Sequence, residues 1–321
     1  MTAVDILERV SDHEDPSGAS GRGQVSVVVP HFGDPEPTRS VVEALRVQQT
    51  VLEVIVVDDC SPEPFSLTST GDDDRVRVVR RERNGGFGSA VNTGARAARG
   101  PLLLVLNSDV EISPTFVADL VRASQPWMPA VTGPATLTPR GTADPTGRHF
   151  PRVATRVAEW LTPLARWHGT PFVQEALGHD TRAVVGAVVP VDWLVGAALL
   201  MPLADFLAVD GLDERFYMNS EEVDLQRRLR DRGLPSVYVG TVSLVHEGGG
   251  SSESGRRRRW LVDSHLRYAR KWGGLRRLRL ALTSATLVNL LWNVVRRTRG
   301  QDVAPVAVAR AELDLIWGPT P

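Results

Sequence analysis

Cysteine and lysine are almost missing from this chain of 321 residues, which has one of each, Cys60 and Lys271. A single cysteine cannot form a disulfide within the chain, and it cannot build a cysteine-based metal site. Both kinds of site are therefore excluded. So little cysteine suits a reducing compartment, and we expect a cytoplasmic protein.

Long apolar runs are missing as well. No stretch reaches 18 apolar residues, and the nearest candidate, 280–295, is interrupted by threonine, serine and asparagine. We therefore expect no membrane-spanning helix. Residues 1–23 have no apolar core, so they do not form a secretory signal, and we expect a short helix or a flexible lead-in there.

A strong net charge is also missing. The formal net charge is −1 at pH 7, so no overall field attracts nucleic acid. Apolar residues make up 42% and charged residues 23% of the chain, as in soluble globular proteins. Basic residues are concentrated in the segment 256–299.

Strand and helix patterns alternate in the first half of the chain. The predicted elements, in order, are a strand at 25–29, a helix at 38–49, strands at 52–57 and 75–79, a helix at 89–99 and a strand at 102–106. This order implies βαβ units with right-handed crossovers. We therefore expect an α/β fold with one Rossmann-like, mostly parallel sheet and helices on both faces.

The second half is less regular. Proline and glycine are frequent in 132–190, which we interpret as a loop-rich insertion over the active-site edge of the sheet. The predicted elements after it are a buried strand at 191–201, helices at 203–209 and 221–232, and a strand at 236–239. We expect three parts, namely the lead-in, a catalytic domain at 24–252 and an Arg-rich helical extension at 253–321.

Acidic residues follow two of the predicted strands. The run 102–106 ends in Asn107-Ser108-Asp109, and the run 52–57 ends in Asp58-Asp59. Ligands of open α/β sheets gather at the carboxyl ends of strands, so Asp109 is a candidate for binding a metal or a substrate hydroxyl. Asp58 and Asp59 are candidates for contacts to a ribose or a pyrimidine base. Turn or helix-cap roles fit both motifs as well.

A glycine-rich segment, Asn84–Gly94, precedes the second predicted helix. Its glycines would allow close backbone approach to a phosphate or a sugar, and a helix N-terminus favours anions. The segment matches neither G-x-G-x-x-G nor a P-loop, so those two interpretations are weak. A purely structural turn fits the segment equally well.

Two adjacent carboxylates, Glu221 and Glu222, begin a predicted helix that also contains Asp224. Mutual repulsion raises the pKa of one such carboxyl toward neutrality, as a general base requires. Acids in this position also simply complement the helix dipole. His246 follows the last predicted strand, and with Asp109 and a nucleotide diphosphate it would suit Mn²⁺ or Mg²⁺.

The order of these motifs is distinctive. It runs Asp-Asp after a strand, Asn-x-Gly-Phe-Gly before a helix, Asn-x-Asp after a strand, Gly-Leu-Asp-Glu-Arg-Phe, Glu-Glu-x-Asp-Leu and finally His. This order resembles the family 2 glycosyltransferases of the A-type fold, most closely their bacterial rhamnosyltransferase-like branch. The resemblance covers residues 24–252.

The resemblance implies roles for individual residues. Donor binding would fall to Pro30, Asp58, Asp59, Asn84, Gly85, Gly86, Asn107, Ser108 and Asp109. Asp109 stands in the family's Asp-x-Asp motif and would bind the metal together with His246. Glu222 would be the catalytic base, with Glu221 as the fallback. The sugar and acceptor pocket would include Trp193, Gly196, Tyr217 and Asp224.

The resemblance also implies an activity. It is that of an inverting, metal-dependent glycosyltransferase that uses Mn²⁺ or Mg²⁺ and a dTDP- or UDP-linked sugar, foremost dTDP-rhamnose. The acceptor would be a cell-envelope glycan or a polyprenyl-linked sugar. A degenerate scaffold that only binds nucleotide sugars is the alternative, since Asn107 replaces the first acid of the Asp-x-Asp motif. A nucleotidyltransferase is disfavoured because the glycine-rich segment follows the third strand instead of the first.

The C-terminal extension begins with Arg256–Trp260 and mixes arginine with leucine and aromatic residues. This composition suits an anionic membrane surface, so we expect peripheral attachment at the inner face of the plasma membrane. A helical lid that packs on the catalytic domain and bridges a homodimer is the alternative. Nucleic-acid binding is disfavoured because no recognition module accompanies the arginines.

Overall fold

The structure is a computed structural model that describes residues 24–67, 73–167, 169–248 and 254–318. The strands are β1 Val25–His31, β2 Val51–Asp58, β3 Val76–Arg80, β4 Leu102–Leu106, β5 Val110–Glu111, β6 Val131–Leu137, β7 Ala143–Asp144, β8 Gly147–Arg148, β9 Val188–Val191, β10 Trp193–Leu194, β11 Ala198–Pro202 and β12 Ser236–His246. The expected lead-in over 1–23 lies outside the described residues.

The α-helices are spread along the whole chain, and three of them form the C-terminal extension. They are α1 Pro35–Arg46, α2 Phe87–Ala97, α3 Phe116–Ser124, α4 Val153–Trp160, α5 Pro171–Ala176, α6 Leu203–Ala208, α7 Glu221–Asp231, α8 Ser254–Trp272, α9 Leu275–Thr298 and α10 Pro305–Trp317.

The N-terminal half forms the expected parallel sheet with helices on both faces. Strands β3, β2, β1 and β4 lie side by side in that order, and every pair is parallel. Side chains alternate across the sheet, so Val27 packs in the core that contains α1, and Val28 packs in the core that contains α2. A Cβ at Gly94 would lie 2.5 Å from Val28, so α2 can approach the sheet this closely only with glycine there.

The C-terminal half of the sheet is mixed and adds antiparallel strands to the parallel N-terminal half. Strand β11 is antiparallel to β4 and β6, and β12 is parallel to β6 but antiparallel to β5 and β9. The prediction of one strand over 191–201 is wrong, because β9, β10 and β11 divide that region and each pairs with a different strand. The sequence of this region is apolar almost throughout. Periodicity alone therefore does not show where one strand ends and the next strand, with another pairing partner, begins.

The insertion between β6 and β9 holds strand β8 and helices α4 and α5. Strand β8 pairs with β10 in a separate two-stranded sheet. Helix α4 also contacts α9 of the C-terminal extension through Trp160, whose Nε1 donates to the Thr286 hydroxyl at 2.9 Å. The insertion is therefore held between the sheet edge and the extension.

Helix α9 is long and apolar enough to cross a membrane by length and composition, with a third of its apolar window buried. No such helix was predicted, because polar residues interrupt the apolar run. Three of those residues, Thr286, Asn289 and Asn293, face inward and are buried. Leu287 and Leu291 are exposed instead, so the apolar face points away from the protein. One such helix is weak evidence for a membrane span.

Candidate active site

Asp109 and His246 meet at the end of the sheet. Strand β4 ends at Leu106, and the chain returns as β5, whose Val110 pairs with His246 at the end of β12. This pairing brings His246 Nε2 to 3.1 Å from Asp109 Oδ1, with the two side chains 23% and 30% exposed. Both groups therefore reach the solvent side of the sheet edge, as predicted for residues at the ends of strands.

The two groups stabilise each other's charge. Burial alone would raise the pKa of Asp109, but the hydrogen bond and the charge of His246 lower it overall. The hydrogen bond to Asp109 raises the pKa of His246 in spite of its burial. Asn107 Nδ2 lies 3.4 Å from His246 Nε2, and Asn107 Oδ1 is buried without a partner among the described residues. A carboxylate, an imidazole and an unpaired amide oxygen therefore converge, and such a donor set fits Mn²⁺ or Mg²⁺.

A three-residue group with metal-binding chemistry lies elsewhere, in the insertion. The candidate ligand atoms of His149, Glu175 and Asp180 lie within 4.8 Å of one another. Protein partners already bind these groups, since Asp180 pairs with Arg182 at 2.6 Å and Glu175 accepts from the Thr181 hydroxyl at 2.5 Å. We therefore assign no metal to this group.

Glu221 and Glu222 begin α7 but point into different surroundings. Glu222 lines a cavity of about 510 Å³, whereas Glu221 is buried, with its Cβ 3.9 Å from the position that a Cβ of Gly88 would occupy. Burial and the charge of Glu222 raise the pKa of Glu221 well above its ordinary value. Burial also raises the pKa of Glu222, although Arg148 and Arg156 partly offset this. Glu222 is therefore the carboxyl with access to a substrate.

Gly196 connects the two parts of the site. A Cβ at Gly196 would lie 3.7 Å from the Cβ of Glu222, so the turn before β11 passes directly along the base candidate. The next residue, Ala197, accepts a hydrogen bond from the Asn107 N–H at 3.0 Å. Trp193 lines the same cavity and donates from Nε1 to the His149 carbonyl at 2.9 Å. The structure thus places the Asp109 loop and Glu222 on either side of one turn.

Asp59 organises the glycine-rich segment. It accepts hydrogen bonds from the N–H groups of Gly85 at 3.1 Å and Gly86 at 2.7 Å, and it pairs with Arg81. A Cβ at Gly86 would lie 2.2 Å from the Tyr217 carbonyl oxygen, so close packing requires glycine there. These N–H groups are already occupied, which favours the structural interpretation over direct phosphate binding.

Tyr217 closes this side of the site. Its hydroxyl donates to Asn84 Oδ1 at 3.1 Å, and its ring packs on Trp260 of α8 with the ring centroids 5.1 Å apart. Pro30 lies half-buried in β1 opposite Val57, and Ser108 lies half-buried between Asn107 and Asp109. The donor and acceptor roles of Asn84, Tyr217, Pro30 and Ser108 stay predictions.

Two predicted site residues, Asp58 and Asp224, face the protein interior, and their buried contacts contradict the expected roles in binding a ligand. Asp58 is fully buried, accepts from the N–H groups of Ser61 at 2.8 Å and Phe65 at 3.0 Å, and pairs with Arg80. Its carboxylate therefore positions the loop after β2. These contacts leave no open side for a nucleotide.

Asp224 is the second of these residues, and it is also fully buried. It accepts from Arg228 Nε at 2.8 Å and Trp272 Nε1 at 2.9 Å, and it pairs with Lys271 at 2.7 Å. The only lysine of the chain therefore joins α7 to the C-terminal extension. The sugar pocket does not include this carboxylate.

The cavity of Glu222 also contains residues that sequence reasoning missed, namely Arg148 and Arg156 from the insertion and His265 from α8. Burial lowers the pKa of Arg148, and burial together with Arg156 lowers that of His265. The insertion gave no periodic pattern that would have placed these arginines. Only the prediction that it covers the active-site edge pointed toward them.

The chain is similar in sequence to known glycosyltransferases. The profile described as Glycosyl transferase family 2 matches residues 26–156. N-acetylglucosaminyl-diphospho-decaprenol L-rhamnosyltransferase of Mycobacterium tuberculosis is 29% identical over 236 residues, which span 68% of this chain and 74% of that protein. Rhamnosyltransferase WbbL of Escherichia coli is 28% identical over 127 residues, which span 39% of this chain and 44% of that protein.

A solved structure extends the similarity to the whole fold. Mannosyltransferase PcManGT from Pyrobaculum calidifontis, in complex with GDP-Man and Mn²⁺, aligns over 96% of this chain and 74% of that protein. The TM-score is 0.52 at 13% sequence identity, a level that supports the fold alone. The expected A-type fold with a helical C-terminal extension is confirmed.

Proposed function

The chain belongs to glycosyl transferase family 2 and is a glycosyltransferase, and we propose that it transfers rhamnose from dTDP-rhamnose with inversion. The acceptor is a hydroxyl of a cell-envelope glycan or of a polyprenyl-linked sugar. The printed names of the two rhamnosyltransferase relatives support the sugar, and the name of the mycobacterial relative supports a lipid-linked acceptor.

One observation carries the proposal. Glu222 faces a cavity of substrate size, and the Gly196 turn separates it from the Asp109–His246 pair. A general base must lie beside the attacking hydroxyl, while the leaving diphosphate must lie on the opposite side of the anomeric carbon. The contacts of Gly196 with Glu222 and of Ala197 with Asn107 support such an arrangement.

Each of these residues then has its own role in the reaction. Glu222 takes the proton from the acceptor hydroxyl as that oxygen attacks the anomeric carbon and the bond to the diphosphate breaks, while Glu221 lies buried behind it. Asp109 and His246 would hold Mn²⁺ or Mg²⁺, with Asn107 beside them, and an ion held there would offset the charge of the departing diphosphate. Asp59 fixes the loop of Asn84, Gly85 and Gly86, which together with Pro30 and Ser108 borders the nucleotide.

The C-terminal extension places the enzyme at a membrane surface in this proposal. The exposed apolar face of α9 is flanked by arginines at both ends, including Arg276 and Arg297. An apolar helix face with basic flanks binds anionic lipid surfaces. We place the protein in the cytoplasm, at the inner face of the plasma membrane, with catalytic domain and extension divided near 252. A homodimer stays a prediction.

A screen of donor binding tests the proposal. Thermal-shift and calorimetric titrations would compare dTDP-rhamnose with dTDP-, UDP- and GDP-linked hexoses, each with Mn²⁺, with Mg²⁺ and with chelator. We expect the largest metal-dependent stabilisation from dTDP-rhamnose. Tighter binding of another nucleotide sugar would contradict the assignment of dTDP-rhamnose as the donor. Donor binding without any release of dTDP in the presence of acceptors would favour the degenerate scaffold.

A further inference from the structure

A second cavity adjoins the cavity of Glu222. It has a volume of about 310 Å³ and lies between α4, α7, α8 and the start of α9. Three residues, Pro151, Arg156 and His265, line both cavities. The two cavities are therefore direct neighbours on one side of the protein.

The second cavity is strongly basic. Its lining includes four arginines and no aspartate or glutamate, and the arginines are Arg152, Arg156, Arg227 and Arg277. Arg156 pairs with Glu159 at 2.8 Å, but the ion pairs of the described residues include none for the other three arginines. Cations that share a concave surface without counter-charges attract an anion from solution.

Arg227 is held in place for such contacts. Its guanidinium lies 4.2 Å from the centroid of the Trp272 ring, and its Nη1 donates to the Tyr268 hydroxyl at 3.0 Å. Stacking fixes the plane of the guanidinium and leaves its remaining N–H groups available. A fixed guanidinium fork matches the oxygens of a phosphate.

The surroundings of the cavity indicate which anion fits. On one side lies Glu222, which receives the proton of the acceptor hydroxyl. On the other side, Arg277 begins a face of α9 that continues through Leu280, Leu287 and Leu291 at helical spacing, and these three leucines are exposed. Proton acceptor, arginine cavity and apolar helix face thus follow one another along the surface.

We propose that the cavity of Arg152, Arg227 and Arg277 binds the diphosphate of a lipid-linked sugar acceptor. The sugar of that acceptor reaches Glu222, and its hydrocarbon chain leaves along the exposed face of α9. The assignment rests on the proposed function for the nature of the acceptor. It names three residues that select a phosphorylated acceptor and play no part in donor binding.

Binding measurements test the proposal without turnover. Calorimetry would compare decyl diphosphate, inorganic pyrophosphate and dTDP on the wild-type protein, the double variant Arg152→Gln/Arg277→Gln and the control Arg310→Gln. Arg152, Arg277 and Arg310 are exposed, so the fold should tolerate all three substitutions. We expect the affinity for decyl diphosphate to fall at least about 10-fold in the double variant and to stay unchanged in the control. The affinity for dTDP should not change.

Transfer assays provide the second readout. In the double variant, KM should rise for a diphosphate-linked N-acetylglucosamine acceptor, while KM for a neutral alkyl N-acetylglucosaminide and for the donor stays the same. Parallel loss of dTDP affinity would overturn the proposal, because the cavity would then serve the donor.

Three further outcomes separate the remaining interpretations. Equal loss of decyl diphosphate affinity in the control would also overturn the proposal. Pyrophosphate that binds as tightly as decyl diphosphate would overturn the lipid assignment. If the wild-type protein transfers no sugar yet binds decyl diphosphate through these arginines, the proposed function fails while the diphosphate site stands.

Discussion

The Nε2 atom of His246 lies 3.1 Å from the Oδ1 atom of Asp109, although the two residues are far apart in the sequence. The pairing of β5 with the last residues of β12 creates this contact. It joins the acidic motif after β4 to the histidine that was predicted to bind a metal with it.

The first prediction concerns metal binding by this pair. Loss of a residue that only supports a metal ligand typically weakens metal binding about 10- to 100-fold, so loss of a ligand should cost more than about 100-fold. We therefore expect Asp109→Ala to abolish Mn²⁺-dependent binding of dTDP, measured by calorimetry. Glu111→Gln is the matched control, since Glu111 is exposed on the adjacent strand. An unchanged Mn²⁺ titration in Asp109→Ala would exclude Asp109 as a ligand.

The second prediction concerns the pH dependence of catalysis. Burial raises the pKa of Glu222, while the charges of Arg148 and Arg156 lower it. A base works in its ionised form, so removal of one positive charge should move the acidic limb of the kcat/KM profile to higher pH. We expect this shift in Arg148→Gln and no shift in Arg140→Gln, a substitution in an exposed loop. If the acidic limb of the kcat/KM profile moved to lower pH in Arg148→Gln, Arg148 would not be lowering the pKa of Glu222.

The third prediction concerns the stability effect of Glu221. Its pKa in the folded protein is raised well above the ordinary value of 4.5. The folded state then keeps a proton that the unfolded chain has lost, so the free energy of unfolding decreases as the pH rises above that value. Glu221→Gln removes this penalty. Thermal unfolding between about pH 5 and about pH 8 should show a stabilisation of the variant that grows with pH.

A constant difference in unfolding temperature between the wild-type protein and Glu221→Gln across this range would contradict the raised pKa. Glu214→Gln is a suitable comparison, since the pKa of Glu214 is lowered by hydrogen bonds from Asn92 and Ser89. Glu214→Gln should lose stability by an amount that stays nearly constant between about pH 5 and about pH 8, because Glu214 is ionised in both the folded and the unfolded state there. This loss should shrink only as the pH falls below the ordinary value of 4.5.

The fourth prediction concerns the attachment of the C-terminal extension. Asp224 is buried and binds Arg228, Lys271 and Trp272. Asp224→Asn removes the negative charge that Arg228 and Lys271 share and weakens the acceptor of the Trp272 N–H, while Lys271 keeps its pair with Asp213. We expect a loss of about 3 kcal/mol in the free energy of unfolding and faster hydrogen exchange in α8. The control Asp231→Asn changes an exposed carboxylate on the same helix. An unaltered unfolding midpoint for Asp224→Asn would show that the contact does not hold the extension.

Local patterns predicted the residues that follow strands. Asp109 and His246 were identified because each lies at a strand end, and parallel strands direct their carboxyl ends to one edge. The helices on both faces of the sheet were predicted from the βαβ order of the first half. These inferences needed no knowledge of distant contacts.

Contacts between segments that are far apart in the sequence were not predicted. Asp224 looked like a site residue because it follows Glu221 and Glu222, but its helical position turns it toward Lys271, a partner in the extension. Arg148 and Arg156 lie in an insertion without hydrophobic periodicity. Likewise, the polar residues of α9 seemed to break an apolar helix, whereas Asn289 in fact bonds inward to the Trp160 carbonyl at 2.9 Å.

The most direct test of the account is a single-turnover transfer assay with dTDP-rhamnose, Mn²⁺ and a lipid-linked N-acetylglucosamine acceptor. It compares the wild-type protein with Glu222→Gln. We expect the wild-type product to carry the inverted anomeric configuration by NMR. The variant should bind the donor normally but transfer at least about 100-fold more slowly, since general-base catalysis contributes about 10²- to 10⁴-fold. Transfer by Glu222→Gln at the wild-type rate, or a product with retained configuration, would contradict the account.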